Sequence, residues 1–349
     1  MSALKTIRKA IQNRILGETI LPEEFATGID DPQREISVML EGLGEPIDVT
    51  FRHSTACSDP FLIAVALDEG QTPSPEQLRR ISLKFYERDG QRRLLGVIGL
   101  RLRETVPVSG GRLLLCAPRS VCNYCLPRLT LGAQYSLHLV KQWSWQWRNK
   151  QWMSRSATGM KMSFLERRAA MVSFIRPHPT VLVSAVDELG SNIFPMNIMG
   201  ALGPTRFGFA LRNDRLAGRL VERAGRLVIS NVPVRHASSA YALARNHTKA
   251  SAEWDNLPFS TKPSPMFHFP IPEFALRVRE LELERVHKIG SHSFFVARIL
   301  SDTVFSTEPS LCVIHGYYQT WRVGGRAAEM KAALREDLLN KRGDNMQQT

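Results

Sequence analysis

No apolar run in this sequence is longer than a β-strand, and that limits the fold more than any other feature. The best stretches, Arg112–Pro118 and Thr180–Val186, fall far short of the roughly 18–20 residues that a membrane-crossing helix requires. A soluble chain with no membrane span is expected. From Ile36 to about Pro118 the sequence reads as short strands: Pro46–Arg52, Phe61–Leu67, Ile81–Glu87, Arg93–Arg103 and Arg112–Pro118. They are rich in Val, Ile, Leu and Phe, with Gly, Pro, Asp and Ser between them. Ile81, Leu83 and Phe85 alternate with Ser82, Lys84 and Tyr86, and Arg88-Asp89-Gly90-Gln91 supplies a turn, so the flanking strands are expected to pair antiparallel.

A length of 349 residues predicts two compact units. With 43% hydrophobic and 23% charged residues, the chain has enough apolar side chains for a sizeable core, which excludes wholesale disorder. The formal net charge of +13 favours polyanions, anionic membrane surfaces or negatively charged small ligands as partners. The cations are scattered in pairs such as Arg79-Arg80, Arg92-Arg93 and Arg167-Arg168, so nucleic acid is not the expected partner. The five cysteines are Cys57, Cys116, Cys122, Cys125 and Cys312, an odd number without a secretory signal, which places the protein in a reducing cytoplasm. Cys116, Cys122 and Cys125 have thiol spacing that zinc or a redox pair uses, but no second pair accompanies them, and no metal site is expected.

Met1–Ile20 carries Leu4, Ile7, Ile11 and Ile15 at helical spacing among lysines and arginines, which reads as a docking helix. Trp143, Trp145, Trp147 and Trp152 crowd beside Lys141, Arg148 and Lys150. Such a cluster can stack bases or fill an interface, and the interface reading is preferred. Ser163–Ile175 predicts a helix that Arg176-Pro177-His178-Pro179 breaks. Asn246–Pro272 predicts a long ordered loop, a candidate lid, and Arg326–Leu339 a C-terminal helix. The organisation expected is a β-rich unit at 1–125 with its leading helix, a Trp-rich helical connector at 126–175, a second unit at 176–325, and a helix with tail at 326–349.

The second unit carries more chemistry. Thr180–Val186, the turn Asp187–Gly190 and Ser191–Asn197 form a hairpin whose second arm bears Asn192, Pro195, Met196 and Asn197. Pro195 interrupts the ladder there and frees backbone groups for a polar planar ligand. Arg212-Asn213-Asp214-Arg215 precedes the helical Leu216–Ala224, where donors and cations at a helix start suit a phosphate. Ala275–Val286 leads through Lys288–Ser293 into Phe294–Ser301, another antiparallel pair. No catalytic triad, dinucleotide fingerprint or histidine set at metal-ligand spacing is present.

In order, "VLVSAVDELG", "SNIFPMN", "RNDRLAGRLVERAGRLVISNVP" and "KIGSHSFFVARI" resemble the flavin reductase-like, FMN-binding split β-barrel family over about Pro177 to Trp321. The resemblance implies a C-terminal FMN-binding split β-barrel; with the smaller β-rich N-terminal domain read from the strand pattern, which lies outside the resemblance, the fold expected is mainly β with α (α+β). The resemblance also implies FMN at the interface of a homodimer. The isoalloxazine edge would lie near Asn192–Asn197, with Pro195 contributing geometry, and the phosphate near Arg212, Asn213 and Arg215. His292 matches the family histidine on the nicotinamide side of the flavin. The implied activity is an NAD(P)H-dependent flavin reductase, passing hydride from NADH or NADPH to flavin N5 and supplying a partner oxygenase. Asn197 and Arg215 stand where the family often has Ser and Thr, and Ala297 replaces a common Gly. The substituted Ser and Thr positions leave one alternative, a flavin- or haem-binding barrel without turnover, and the basic charge with the tryptophan cluster leaves another, a nucleic-acid-binding protein.

Overall fold

The computed structural model describes residues 24–29, 36–71, 73–88, 93–133, 136, 140 and 163–315. The leading helix, the tryptophan cluster and the C-terminal helix expected from the sequence lie outside these residues. β1 (Glu24–Ile29) is followed by β2 (Ile36–Glu41), whose Ile36, Val38 and Leu40 are buried while the residues between them are half-buried. β3 (Ile47–Asp48) is shorter than the expected strand Pro46–Arg52, because Thr50 turns its backbone onto Asp48 and its hydroxyl onto Val38. β4 (His53–Ser58) is a strand that the sequence did not predict. β5 (Phe61–Asp68), α1 (Pro75–Leu78), β6 (Ser82–Glu87), β7 (Leu94–Val108) and β8 (Gly111–Asn123) complete an antiparallel sheet in the order β3-β2-β6-β7-β8-β5-β4. The β6–β7 pairing agrees with the expected hairpin.

α2 (Phe164–Ser173) matches the helix expected at 163–175. Ser163 caps it and Glu166 closes the capping box. Its Ala169, Met171 and Val172 pack into the first core with Ile98, Val121 and Phe85. β9 (His178–Pro179) follows, and the last strand of the described chain, β19 (Ser310–His315), binds both β1 and β9.

The second unit contains β10 (Val181–Asp187), β11 (Gly190–Met196), β12 (Met199–Ala201), β13 (Arg206–Arg212), α3 (Leu216–Ala224), β14 (Arg226–Asn231) and α4 (Ala237–Ala242). Then come β15 (Thr261–Pro263), β16 (Pro270–Pro272), β17 (Arg277–Ile289), β18 (His292–Val304) and β19 (Ser310–His315). The fold is mainly β with α, as expected, and the C-terminal half forms the expected split barrel. Its sheet runs β11-β10-β14-β17-β18-β13-β12, all antiparallel. α3 buries Ala217, Leu220 and Val221 against Phe194, Phe209 and Phe295, and ends at Gly225, whose φ of 65° gives the left-handed cap. The loop expected at Asn246–Pro272 contains the β15–β16 hairpin and short helical turns. Buried Glu280 anchors it, accepting from Ser264 Oγ (2.8 Å) and the amides of Met266 and Phe267.

The two sheets have one topology. Position by position, β2 to β8 correspond to β10–β14, β17 and β18, and the two orders are then identical. The long hairpins agree to the residue. Every β7–β8 pair maps onto a β17–β18 pair by one constant shift: Gly96–Asn123 onto Arg277–Val304, Val108–Gly111 onto Ile289–His292. Both bulges coincide as well, at Gly99/Leu100 and Glu280/Leu281, then at Leu102/Glu104 and Leu283/Arg285.

The halves meet through corresponding strands. Ala64, Leu113 and Leu115 of β5 and β8 share one core with Ala210, Phe294 and Val296 of β13 and β18. Arg52 bridges Leu202, and Ser54 Oγ donates to the Gly208 carbonyl. His287 Nε2 lies 3.0 Å from Glu104 Oε2, and Arg285 donates to the Pro107 carbonyl, joining β17 to β7.

Candidate functional site

Arg212 ends β13 and His292 begins β18, and the two face each other on the ladder. Beyond them the chain turns into α3. Asp214 holds Arg212 through a fork, Nε to Oδ1 at 2.9 Å and Nη2 to Oδ2 at 2.8 Å, and its Oδ1 lies 3.6 Å from Arg215 Nε. The hydrogen bond and charge of Arg212 keep the Asp214 carboxyl below its usual range, helped by Arg215. The cluster therefore holds two cations against one carboxylate. Asn213 ties this loop to the β17–β18 turn, with Nδ2 donating to the Gly290 carbonyl (3.0 Å) and Oδ1 accepting from Ser293 Oγ (2.7 Å).

Arg215 is the N-cap of α3 and makes no side-chain cap hydrogen bond, and the first turn holds no acidic residue. Ser74 and Ser163 cap α1 and α2, each with a capping box. The amides of the first α3 turn are thus left to an incoming acceptor, and the helix dipole and two guanidinium groups add to their pull. This donor set fits the phosphate of a flavin mononucleotide.

His292 is buried, with Nδ1 2.7 Å from Ser291 Oγ and 3.9 Å from Cys57 Sγ. Burial, reinforced by the charge of Arg212, pushes its pKa down to about 4, so the imidazole is neutral at pH 7. The β4–β5 turn closes over this place from the other half. The Asp59 carbonyl accepts from the Ser291 amide at 2.8 Å, and Cys57 Sγ donates to the Ile289 carbonyl.

The remaining expected residues lie on and beside β11. The Pro195 carbonyl accepts from His247 Nε2 at 2.7 Å, and burial and the nearby Arg215 charge lower the His247 pKa. Asn192 is fully buried. Its Nδ2 donates to the carbonyls of Asn246 and Lys249, tying the following turn to the edge of β11, and its Oδ1 has no partner among the described residues. Met196 packs in the barrel core, and the Asn197 backbone hydrogen-bonds His178. The structure therefore joins Arg212, Asn213, Arg215 and His292, reaches Pro195 through His247, and turns Asn192 and Met196 inward. The sequence pattern assigned no role at this place to His247 or Cys57, which distant strand pairing brings there.

A cavity of about 530 Å³ opens elsewhere, lined by Phe51 and Arg52 of the first half and by Met199, Phe207, Arg277 and Arg279 of the second. It lies at the opposite end of the β17–β18 hairpin from His292, and Asp302 pairs with both of its β17 arginines. That pairing leaves it less suited to an anion than the Arg212–Arg215 loop. Among the described residues no group of three His, Cys, Asp or Glu side chains is placed to hold a metal, and no helix is long and apolar enough to cross a membrane. Burial pushes the Cys116 and Cys125 thiols up to about 12, which keeps both protonated at neutral pH.

Residues 174–322 match the flavin reductase like domain, in agreement with the expected resemblance. No curated protein matches the chain. Among solved structures the chain is similar to an FMN-binding protein from Thermus thermophilus with bound 1-cyclohex-2-enone. The match has 25% identity and a TM-score of 0.33, and covers 37% of this chain and 71% of that one. It is also similar to an NADH:FAD oxidoreductase from Streptomyces globisporus (15% identity, 42% and 87% coverage, TM-score 0.37). A flavoredoxin from Methanosarcina acetivorans matches at 12% identity, 38% and 74% coverage, and a TM-score of 0.33.

Proposed function

Starting from residues 174–322 as a flavin reductase like domain, we propose that this protein is an NAD(P)H-dependent flavin reductase using FMN. The observation that carries the reading is the convergence of Arg212, Asn213 and Arg215 at the uncapped start of α3, beside the neutral imidazole of His292. Arg212, Arg215 and the first-turn amides of α3 hold the phosphate by charge-assisted hydrogen bonds. Asn213 fixes the loop against the Gly290 turn, so these donors keep their aim. A bound flavin supplies the ring that accepts hydride from the nicotinamide.

The chain's own contribution is position and exclusion of water. His292 is oriented by Ser291 and shielded by Cys57, and presents an uncharged donor or acceptor that neither repels the dinucleotide nor traps a proton at neutral pH. The +13 net charge draws both anionic nucleotides towards the protein. A partner oxygenase consuming the reduced flavin completes the reading, and five cysteines outside disulfides fit a reducing, cytoplasmic setting. The test is anaerobic: FMN fluorescence is quenched on binding, and the flavin absorbance bleaches when NADH or NADPH is added. Binding without bleaching would leave a flavin-binding protein without turnover. Absence of binding would remove the reading altogether.

A further inference from the structure

We propose that the N-terminal half stands where a second subunit would, so that one chain builds one flavin site, walled by its own residues Cys57–Pro60. The inference rests on the flavin reading above and goes beyond it by naming the second wall and the number of sites.

Three observations carry it. The first is that the two halves share strand order and the register of every rung and bulge of the long hairpin, as two copies of one subunit do. The second is the way they meet. The β4–β5 and β12–β13 registers make Ser54 the counterpart of Gly200. A Cβ on Gly200 would lie 3.3 Å from Ser54 Cβ. β7 likewise touches its counterpart β17. Contact of each element with its own counterpart is the pattern of a two-fold interface, here closed within one chain. Across it, the Asp59 carbonyl and Cys57 Sγ bond the Gly290–His292 turn, and the missing Cβ of Gly290 leaves room for the Asp59 carbonyl.

The third observation is that only one half keeps the chemistry. On the rung where Arg212 faces His292, the first half has Asp68 facing Gly111. Asp68 replaces the cation with a carboxylate and pairs with Arg52 at 2.5 Å. The helix that follows is four residues long, and Ser74 already caps it. The end of the hairpin that borders the cavity in the second half is packed over in the first. Arg277 lines that cavity, while a Cβ on its equivalent Gly96 would lie 2.6 Å from Val172 Cγ1 and 3.2 Å from Ile175 Cδ1. α2 and the turn after it fill the space. The N-terminal copy thus gives up ligand binding and serves as a wall.

The test is an FMN titration of the full chain by fluorescence, with the mass of the bound species read by light scattering, repeated on Arg212→Asp. The expected result is saturation at one FMN per chain, in a species of single-chain mass, and at least tenfold weaker binding in Arg212→Asp, with a cooperative melting transition showing that the variant is folded. Two FMN per chain, half of the binding surviving in Arg212→Asp, or FMN found only in a species of twice that mass would overturn the inference while leaving the flavin reading intact. Failure of FMN to bind any species would remove the flavin reading, and the single-site claim with it. If Arg212→Asp does not fold, the stoichiometry and mass of the parent chain still decide.

Discussion

Ser54 and Gly200 hold the same rung in their respective sheets and lie against each other where the two halves meet, with the His53 carbonyl only 2.5 Å from where a Gly200 Cβ would sit. That neighbour is backbone and cannot swing aside. Gly200→Ala is therefore expected to cost about 1–3 kcal/mol, the usual penalty for overpacking a closed contact. Urea denaturation of the two proteins measures it. A midpoint equal to the parent's would show that the interface yields at this point.

The same rung shows what could and could not be read from the sequence. The C-terminal landmarks were legible because each is a local device: the Asp187–Gly190 turn, the cations before α3, and the left-handed Gly225 after it. β4 escaped notice because "HSTACS" shows neither alternation nor a β-branched run. All six residues are buried, and Ser54 and Cys57 spend their polar atoms on the other half of the chain. The repeat itself was illegible for a related reason. Register is set by pairing between distant strands, while the side chains that would mark the copies have diverged, Gly111 against His292 and Gly96 against Arg277. Asn192 shows what a linear motif does not carry: its Nδ2 is held by the carbonyls of Asn246 and Lys249 once the chain folds back along β11, while its buried Oδ1 has no partner among the described residues.

Arg215 carries a cation at the open end of α3 and is close enough to influence both Asp214 and His247. Reversing its charge puts a carboxylate where the phosphate is proposed to sit. Arg215→Glu is expected to weaken FMN binding by roughly 10- to 100-fold, the range for one charge-assisted hydrogen bond of about 1.5–3 kcal/mol. Fluorescence titration checks this, and an unchanged dissociation constant would remove Arg215 from the site.

His292 begins β18 beside the donors assigned to the phosphate, and its own assigned role is on the nicotinamide side of the flavin. In His292→Ala, FMN binding is expected to hold within about threefold while reduction by NADH slows by about tenfold or more. Because the imidazole is already neutral above its pKa of about 4, the parent's reduction rate should show no His292 titration between pH 6 and 8. Stopped-flow traces of flavin bleaching give both results, and equal rates in variant and parent would contradict the role given to this side chain.

Acid should destabilise the fold in a window set by buried histidines. Burial, with Arg176 adding to it, pushes His178 down to about 4 from an ordinary value of 6.5, and His53 is lowered well below that value for the same reasons. Between those two values the unfolded chain binds protons that the folded chain refuses. Stability is therefore complete above pH 6.5 and falls as the pH drops towards 4. At about 1.4 kcal/mol per pKa unit, His178 alone accounts for on the order of 2–3 kcal/mol of that loss. His178 also stacks on Phe174 at 4.3 Å and bonds the Ser173 carbonyl, so its replacement carries a cost that is independent of pH. The informative quantity is therefore the difference between pH values within each protein. His178→Gln is expected to have a lower urea midpoint than the parent at pH 7.5 and to lose less of it on going to pH 4.5. A variant that loses as much as the parent would place the acid sensitivity on other groups.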